Sequence, residues 1–390
     1  MGNIVDYIKW RGDLSFEQSP LNTVDLLLLS QIPMLNLDNI LTDKEIENGF
    51  NLNSVVNRYY KIYKNKQIGL ILLGHIAKIV HSYANQNRYK DLYISDYVKI
   101  IDPITTTQFC ALTIHLTKKL KYIVFSGTDD TVVGWKENFT MLYKDKIEAQ
   151  KLAKDYLTKH GIKYHSLIIG GHSKGGNLSI YSSVHANKRI KNKIINIYSF
   201  DGPGFSSNLY ETDKYFEIKD KILHYVPTCS VIGLLLNHDN DRIIIKCNSN
   251  GLLQHDVTTW EVDNNDLIKT DNLDDKALHI DSTIKALTNK LTYDEQVHFV
   301  ETCFNILSCD NTVNLIELKN KKRILLSTFL KSPKKDRQII FLIIKALIKD
   351  NIIRNGIIFD TLSFNKNNKV IIKNDKKELK KLIKEKKMGL

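Results

Sequence analysis

Hydrophobic positions fall into two regimes along the chain. Between residues 108 and 254 they come as short runs, and from residue 271 onward they recur with a helical period. Ahead of both, residues 24–29 are apolar enough to be buried. Residues 55–82 combine a helix with the apolar run 68–73, which is read as helix because Lys78 and Ile79 continue a 3.6-residue pattern. Residues 109–116 look like a strand. A short basic gap at 118–121 leads into a second strand, 122–125, so the two are expected to form a hairpin. Residues 147–160 read as an amphipathic helix closed by Gly161. Three further strand-like segments follow: 166–169 runs into Gly170, 194–200 into Asp201, and 222–226 into Pro227. Strands about 28 residues apart with helical stretches between them are βαβ units, which predicts a largely parallel sheet. Another hairpin is expected over 242–246 and 251–254. Amphipathic helices are predicted over 277–291 and 295–307, and Ser332-Pro333 breaks the chain.

Composition changes this picture little. The chain has 390 residues, 43% hydrophobic and 25% charged, which are ordinary globular proportions and exclude a disordered, collagenous or coiled-coil chain. The formal net charge is +13, but residues 366–387 hold ten Lys against Asp375, Glu378 and Glu385. The body is therefore only mildly basic, and nucleic acid is not expected as a partner. Leu379, Leu382 and Ile383 sit at helical spacing in this tail, which could make weak contact with an anionic membrane; a solvated charged helix is the plainer reading. Five scattered cysteines with no CxxC pair suit reduced thiols in a cytoplasm better than a disulfide framework or a zinc knuckle. No secretory signal is visible, and the apolar run 339–344 stops far short of the ~18 residues of a membrane span. A soluble cytoplasmic protein is expected.

Chemistry concentrates in Gly170-Gly171-His172-Ser173-Lys174-Gly175-Gly176, which follows one strand and opens a helix. G-x-S-x-G in that context is a nucleophile elbow: a strained turn exposes the Ser173 hydroxyl, and side chains at Gly171 and Gly175 would collide with neighbouring elements. The following helix aims its first N–H groups at the site, making the Lys174 N–H one oxyanion donor. A base is expected downstream. His255 is the best placed, with His224 and His238 as alternatives, while His172 lies in the elbow itself. The acid is less determined. Asp201 ends the strand after the nucleophile; Asp239 and Asp241 are alternatives; Asp256 adjoins His255 and cannot easily orient it; and a pair without an acid is also open. The more usual position, after residue 226, reads Pro227-Thr228-Cys229-Ser230 with no carboxylate. Thr128, in Ser126-Gly127-Thr128-Asp129, is the candidate second oxyanion donor, and Trp135 and Phe139 could pack that loop or form a lid.

The stretch from Tyr122 to Thr128 with Trp135, the elbow, and Tyr198-Ser199-Phe200-Asp201-Gly202-Pro203 resemble the class 3 (fungal-type) lipases over about residues 108–260. Tyr7-Ile8-Lys9-Trp10-Arg11-Gly12-Asp13 and the stretch from Gly127 to Glu137 are closer still to an uncharacterised bacterial lipase-like branch of these hydrolases. The helical pattern from residue 271 sets off an extension over 271–365 and the Lys run a tail over 366–390, and for the domain over 1–270 the resemblance implies an α/β-hydrolase. It implies Ser173 as nucleophile, His255 as base, and Lys174 and Thr128 as the oxyanion hole. A serine hydrolase cleaving a small-molecule or lipid carboxylic ester, with no metal or organic cofactor, is the expected function. A degenerate hydrolase serving as a binding or scaffolding module is the alternative. Two departures from the lipases stand out: no Asp occurs near Cys229 and Ser230, and Lys174 replaces an apolar residue beside the nucleophile.

Overall fold

The computed structural model describes residues 2–334, 336, 337 and 340, apart from 67, 70–72, 240, 250, 289 and 290. The Lys-rich tail, the end of the helical extension and the middle of the 68–73 run lie outside the described residues. Eleven strands are present among those described: β1 Gly2–Asn3, β2 Phe50–Asn51, β3 Tyr93–Asp102, β4 Thr107–His115, β5 Leu120–Phe125, β6 Ser166–His172, β7 Ile194–Phe200, β8 Ile222–Pro227, β9 Ile243–Ile245, β10 Glu261–Asp263 and β11 Asp266–Leu267. Strands β2 to β9 form one sheet in sequential order. Its first three pairings are antiparallel and all pairings from β5 to β9 are parallel. The predicted β4–β5 hairpin is present. Strands β1, β10 and β11 make a small separate sheet.

Period-two alternation on a sheet covered on both faces explains how β5 is buried from Lys121 to Phe125. Tyr122 and Val124 face a core built with Tyr7, Leu26, Leu28, Val80 and Tyr83. Ile123 and Phe125 face a second core with Ala153, Leu157, Leu178 and Val184. The first core draws on the helices Ile4–Arg11, Thr23–Leu29 and Leu73–Ala84, the second on Glu148–Gly161 and Lys174–Val184. Buried Arg88 ties the first layer together, reaching both carboxylate oxygens of Asp25 at 2.7 and 2.5 Å. A mostly parallel sheet with helices on both faces and a strand–elbow–helix at its centre is the α/β-hydrolase fold.

Register places the functional loops. Phe125 pairs with Gly171, His172 with Phe200, and Phe200 with Tyr225. Residues 126, 173 and 201 therefore leave the sheet side by side at the carboxyl ends of parallel strands, where open α/β sheets hold their ligands.

Two expectations need correction. The second hairpin does not form. Residues 243–245 join the sheet in parallel beside β8, whereas Gly251–His255 is a 3-10 turn. Leu253 faces solvent and Gln254 is buried with polar partners on both ends of its amide, so the segment lacks the alternation of a strand. Residues 68 and 69 are not helical; the helix there begins at Leu73. The predicted helices after residue 271 occur as Asp275–Thr288 and Tyr293–Leu307. Trp135 and Phe139 pack with Phe299, Cys303 and Phe304 of the second, which favours packing over a free lid.

Candidate active site

Strand β6 ends at His172, and the helix Lys174–Val184 starts at once. The single residue between them, Ser173, has φ 58° and ψ −130°, a conformation that L-residues adopt only under constraint from their surroundings. Those surroundings are backbone packed on backbone. A Cβ on Gly171 would stand 2.5 Å from the Phe125 carbonyl oxygen and from the Gly175 carbonyl carbon; one on Gly175 would stand 2.2 Å from the same Phe125 oxygen. The Ser173 N–H donates to the Phe200 carbonyl at 2.9 Å, fixing the turn to β7. The Ser173 residue retains 9% exposure. Among the described residues its hydroxyl makes no hydrogen bond.

His255 arrives from the 3-10 turn Gly251–His255. Gln254 anchors that turn: its Oε1 accepts the Cys229 N–H at 2.7 Å, its Nε2 donates to the Ser249 carbonyl at 2.7 Å, and its own carbonyl accepts the indole N–H of fully buried Trp260 at 2.8 Å. The His255 ring stacks on His172, centroids 4.4 Å apart, and so sits beside the elbow. Its Nδ1 lies 2.6 Å from Asp201 Oδ2, across 54 residues of sequence. No Ser173–His255 hydrogen bond is formed, and unliganded sites of this kind are often open at that step.

Asp201 follows β7 directly, fully buried and at φ 50°. Its N–H donates to the Tyr225 carbonyl at 2.8 Å, and its second carboxylate oxygen accepts from Ser230 Oγ at 2.5 Å. Ser230 Oγ in turn accepts the Gly233 N–H at 2.8 Å. A Cβ on Gly233 would come within 2.2 Å of Asp201 Oδ1, so only glycine fits there. Where the resemblance leads one to expect a carboxylate, Ser230 instead braces a carboxylate supplied one strand earlier.

The other candidates are engaged elsewhere. Asp239 accepts from Tyr215 at 2.7 Å and pairs with Lys219, as does Asp241. Asp256 lies 3.0 Å from His75 Nδ1 and accepts the Thr258 N–H. His224 is buried and His238 half-buried, with ring centroids 5.2 Å apart. Burial and then Arg242 push His224 down to about 4. Burial, then His224 and Arg242, push His238 well below the usual imidazole range. Burial and the neighbouring His255 do the same to His172, so its ring packs uncharged.

The loop after β5 closes the other side. A Cβ on Gly127 would be 3.3 Å from Ser173 Cβ, which brings Thr128 next to the nucleophile. Among the described residues no acceptor takes the Thr128 N–H, its buried hydroxyl, or the Lys174 N–H. Unpaired buried donors are costly and rare, and here they border the hydroxyl. The Lys174 ammonium faces away from the elbow's open side: it is wholly buried, 2.8 Å from Glu137 Oε2. Among the described residues no group of three or more His, Cys, Asp or Glu is placed to hold a metal ion, and no helix is long and apolar enough to cross a membrane.

Sequence reasoning thus names Ser173, His255, Asp201, Lys174 and Thr128, and the structure gathers all five at one edge of the sheet. It misses the stacking role of His172, the brace of Ser230 and Gly233, and the Gln254 anchor. The Ser-x-x-Gly spacing of 230 and 233 is the one signal that could have pointed to them.

In comparisons with known proteins, no curated protein matches the chain significantly. Among solved structures, the crystal structure of M37 lipase is similar at a TM-score of 0.34 and 13% identity, covering 54% of this chain and 68% of that one. The family model described as Mbeg1-like matches residues 83–305. That span covers more than half of the chain and contains Ser173, Asp201 and His255, and the chain belongs to the Mbeg1-like family.

Proposed function

We propose that this protein is a serine hydrolase of carboxylic esters. The observation that carries the reading is the 2.6 Å contact of His255 Nδ1 with buried Asp201, which seats the imidazole beside a Ser in a strained elbow. With Nδ1 committed to the carboxylate, Nε2 is left to take the Ser173 proton as Oγ attacks the acyl carbonyl. The oxyanion that forms is stabilised by the N–H groups of Lys174 and Thr128. Imidazolium then protonates the leaving alkoxide, and an alcohol departs from the acyl-enzyme. In the second half His255 takes a proton from water, hydroxide adds to the acyl carbon, and collapse returns the proton to Ser173 and releases the acid. The substrate class is a small-molecule or lipid ester.

The test is hydrolysis of short-chain p-nitrophenyl esters by the full chain. Ser173→Ala should abolish turnover, and Asp201→Asn should lower kcat by about 10²–10⁴-fold through the wrong imidazole tautomer. The open Ser173–His255 gap favours a second reading, a degenerate hydrolase used for binding; a folded wild type inert towards a panel of esters would support it.

A further inference from the structure

The residue after the nucleophile carries a buried charge that the reaction above does not use. Lys174 Nζ has three donors and all three are taken: the Gln108 carbonyl at 2.7 Å, Gln108 Oε1 at 2.5 Å and Glu137 Oε2 at 2.8 Å. Glu137 is itself saturated on that side, since Oε2 also accepts the Gln108 N–H at 3.1 Å and Oε1 accepts the Ala149 N–H at 3.1 Å. An ammonium has no acceptor to offer, so it dictates which way the Gln108 amide turns: Oε1 must face Lys174, and Nε2 must face the opposite side. There Nε2 lies 3.4 Å from the Gly127 carbonyl oxygen, which also accepts from Ser126 Oγ at 2.9 Å. The Gly127 carbonyl and the Thr128 N–H belong to one peptide plane and, in a trans peptide, point in opposite directions. Holding that carbonyl towards Gln108 and Ser126 therefore turns the Thr128 N–H away from them, and among the described residues no acceptor takes it.

We infer that Lys174 and Gln108 are positioning residues: the buried ammonium sets the Gln108 amide, which sets the Gly127–Thr128 peptide, and so aims one oxyanion donor while the other comes from the Lys174 N–H itself. The inference rests on the ester-hydrolase reading. It also gives the departure from an apolar residue at 174 a physical role, in that one side chain ties the two backbone donors together. An apolar residue would leave the Gln108 amide free to turn over and place an oxygen against the Gly127 oxygen.

Gln108→Met is the decisive variant, because it removes the donor to Gly127 while Lys174 keeps the Gln108 carbonyl and Glu137. In p-nitrophenyl ester hydrolysis by the full chain, kcat should fall about tenfold or more with KM within about threefold, since a misaimed donor is felt in the transition state. The affinity of phenylboronic acid, whose adduct with Ser173 bears an oxyanion, should weaken by a similar factor. Lys174→Met combined with Glu137→Gln, which removes the charge pair together, should lose as much; adding Gln108→Met to that pair should lose little more. A Gln108→Met protein with wild-type kcat and boronate affinity, or fully multiplicative losses, would overturn the inference. A wild type that hydrolyses no ester would instead sink the hydrolase reading.

Discussion

At the residue scale the site is held by contacts that leave little freedom. Asp201 accepts from His255 on one oxygen and from Ser230 on the other, and is enclosed by Gly233. Ser230→Ala would leave one oxygen of a buried carboxylate without its donor, at a cost of about 1–3 kcal/mol. We therefore expect urea denaturation of Ser230→Ala to show a stability loss of that order, with kcat lowered but not abolished because His255 keeps its partner. A variant as stable and active as wild type would remove Ser230 from the account. The same scale explains why the acid was the least legible part of the sequence. Asp201 is nameable from its place after a strand and ranks first there, but Asp239, Asp241 and a pair without an acid stay open in the sequence; the folded chain engages Asp239 with Tyr215 and both Asp239 and Asp241 with Lys219.

At the element scale the elbow exists because β5, β6 and the helix Lys174–Val184 approach with no room for side chains. Gly175→Ala would push a Cβ into the Phe125 carbonyl, 2.2 Å away in the present geometry. Backbone cannot move aside there without disturbing the strand that leads to Thr128, so this variant should melt several degrees lower and lose turnover together. Gly74→Ala, where the nearest atom would be 3.7 Å away, should melt within a degree or two of wild type. Elements of this kind were readable in advance because they are dominated by local rules: continuous apolar runs for β5 to β8, and G-x-S-x-G for the turn. β3 was not readable. A bulge between Ser95 and Val98, with Asp96 at φ 57°, breaks its alternation, and several of its residues are half-exposed. The segment 251–254 does not form the expected strand because its conformation is set by the contacts of Gln254 with Cys229 and with the Trp260 indole rather than by its own pattern.

At the scale of the whole molecule, imidazoles buried without charge make stability depend on pH. His224, lowered to about 4 by burial and Arg242, and His172 and His238, lowered well below the usual imidazole range by burial and neighbouring imidazoles, refuse protons in the folded state that they accept near pH 6.5 when unfolded. Their contribution is complete above about pH 6.5 and is lost as the pH falls towards 4. For His224 alone the loss at pH 5 is about 2 kcal/mol. Urea denaturation should show a marked drop in stability between pH 7.5 and pH 5, and His224→Gln should show a smaller one. Equal stability of the wild type at both pH values would contradict this. Side chains pack across the proposed division of the chain near residue 270. Leu273 and Ala277 pack with Val226 and Leu234, and the helix Tyr293–Leu307 packs with the helix Val132–Thr140 that follows the Thr128 loop.

The central claim is that Ser173 is a nucleophile activated by His255. Intact-mass analysis of the full chain after treatment with a fluorophosphonate tests it most directly. One phosphonyl adduct per chain is expected, absent from Ser173→Ala and formed far more slowly in His255→Ala. A folded wild type that gains no adduct, or a Ser173→Ala protein that gains one at the wild-type rate, would contradict it.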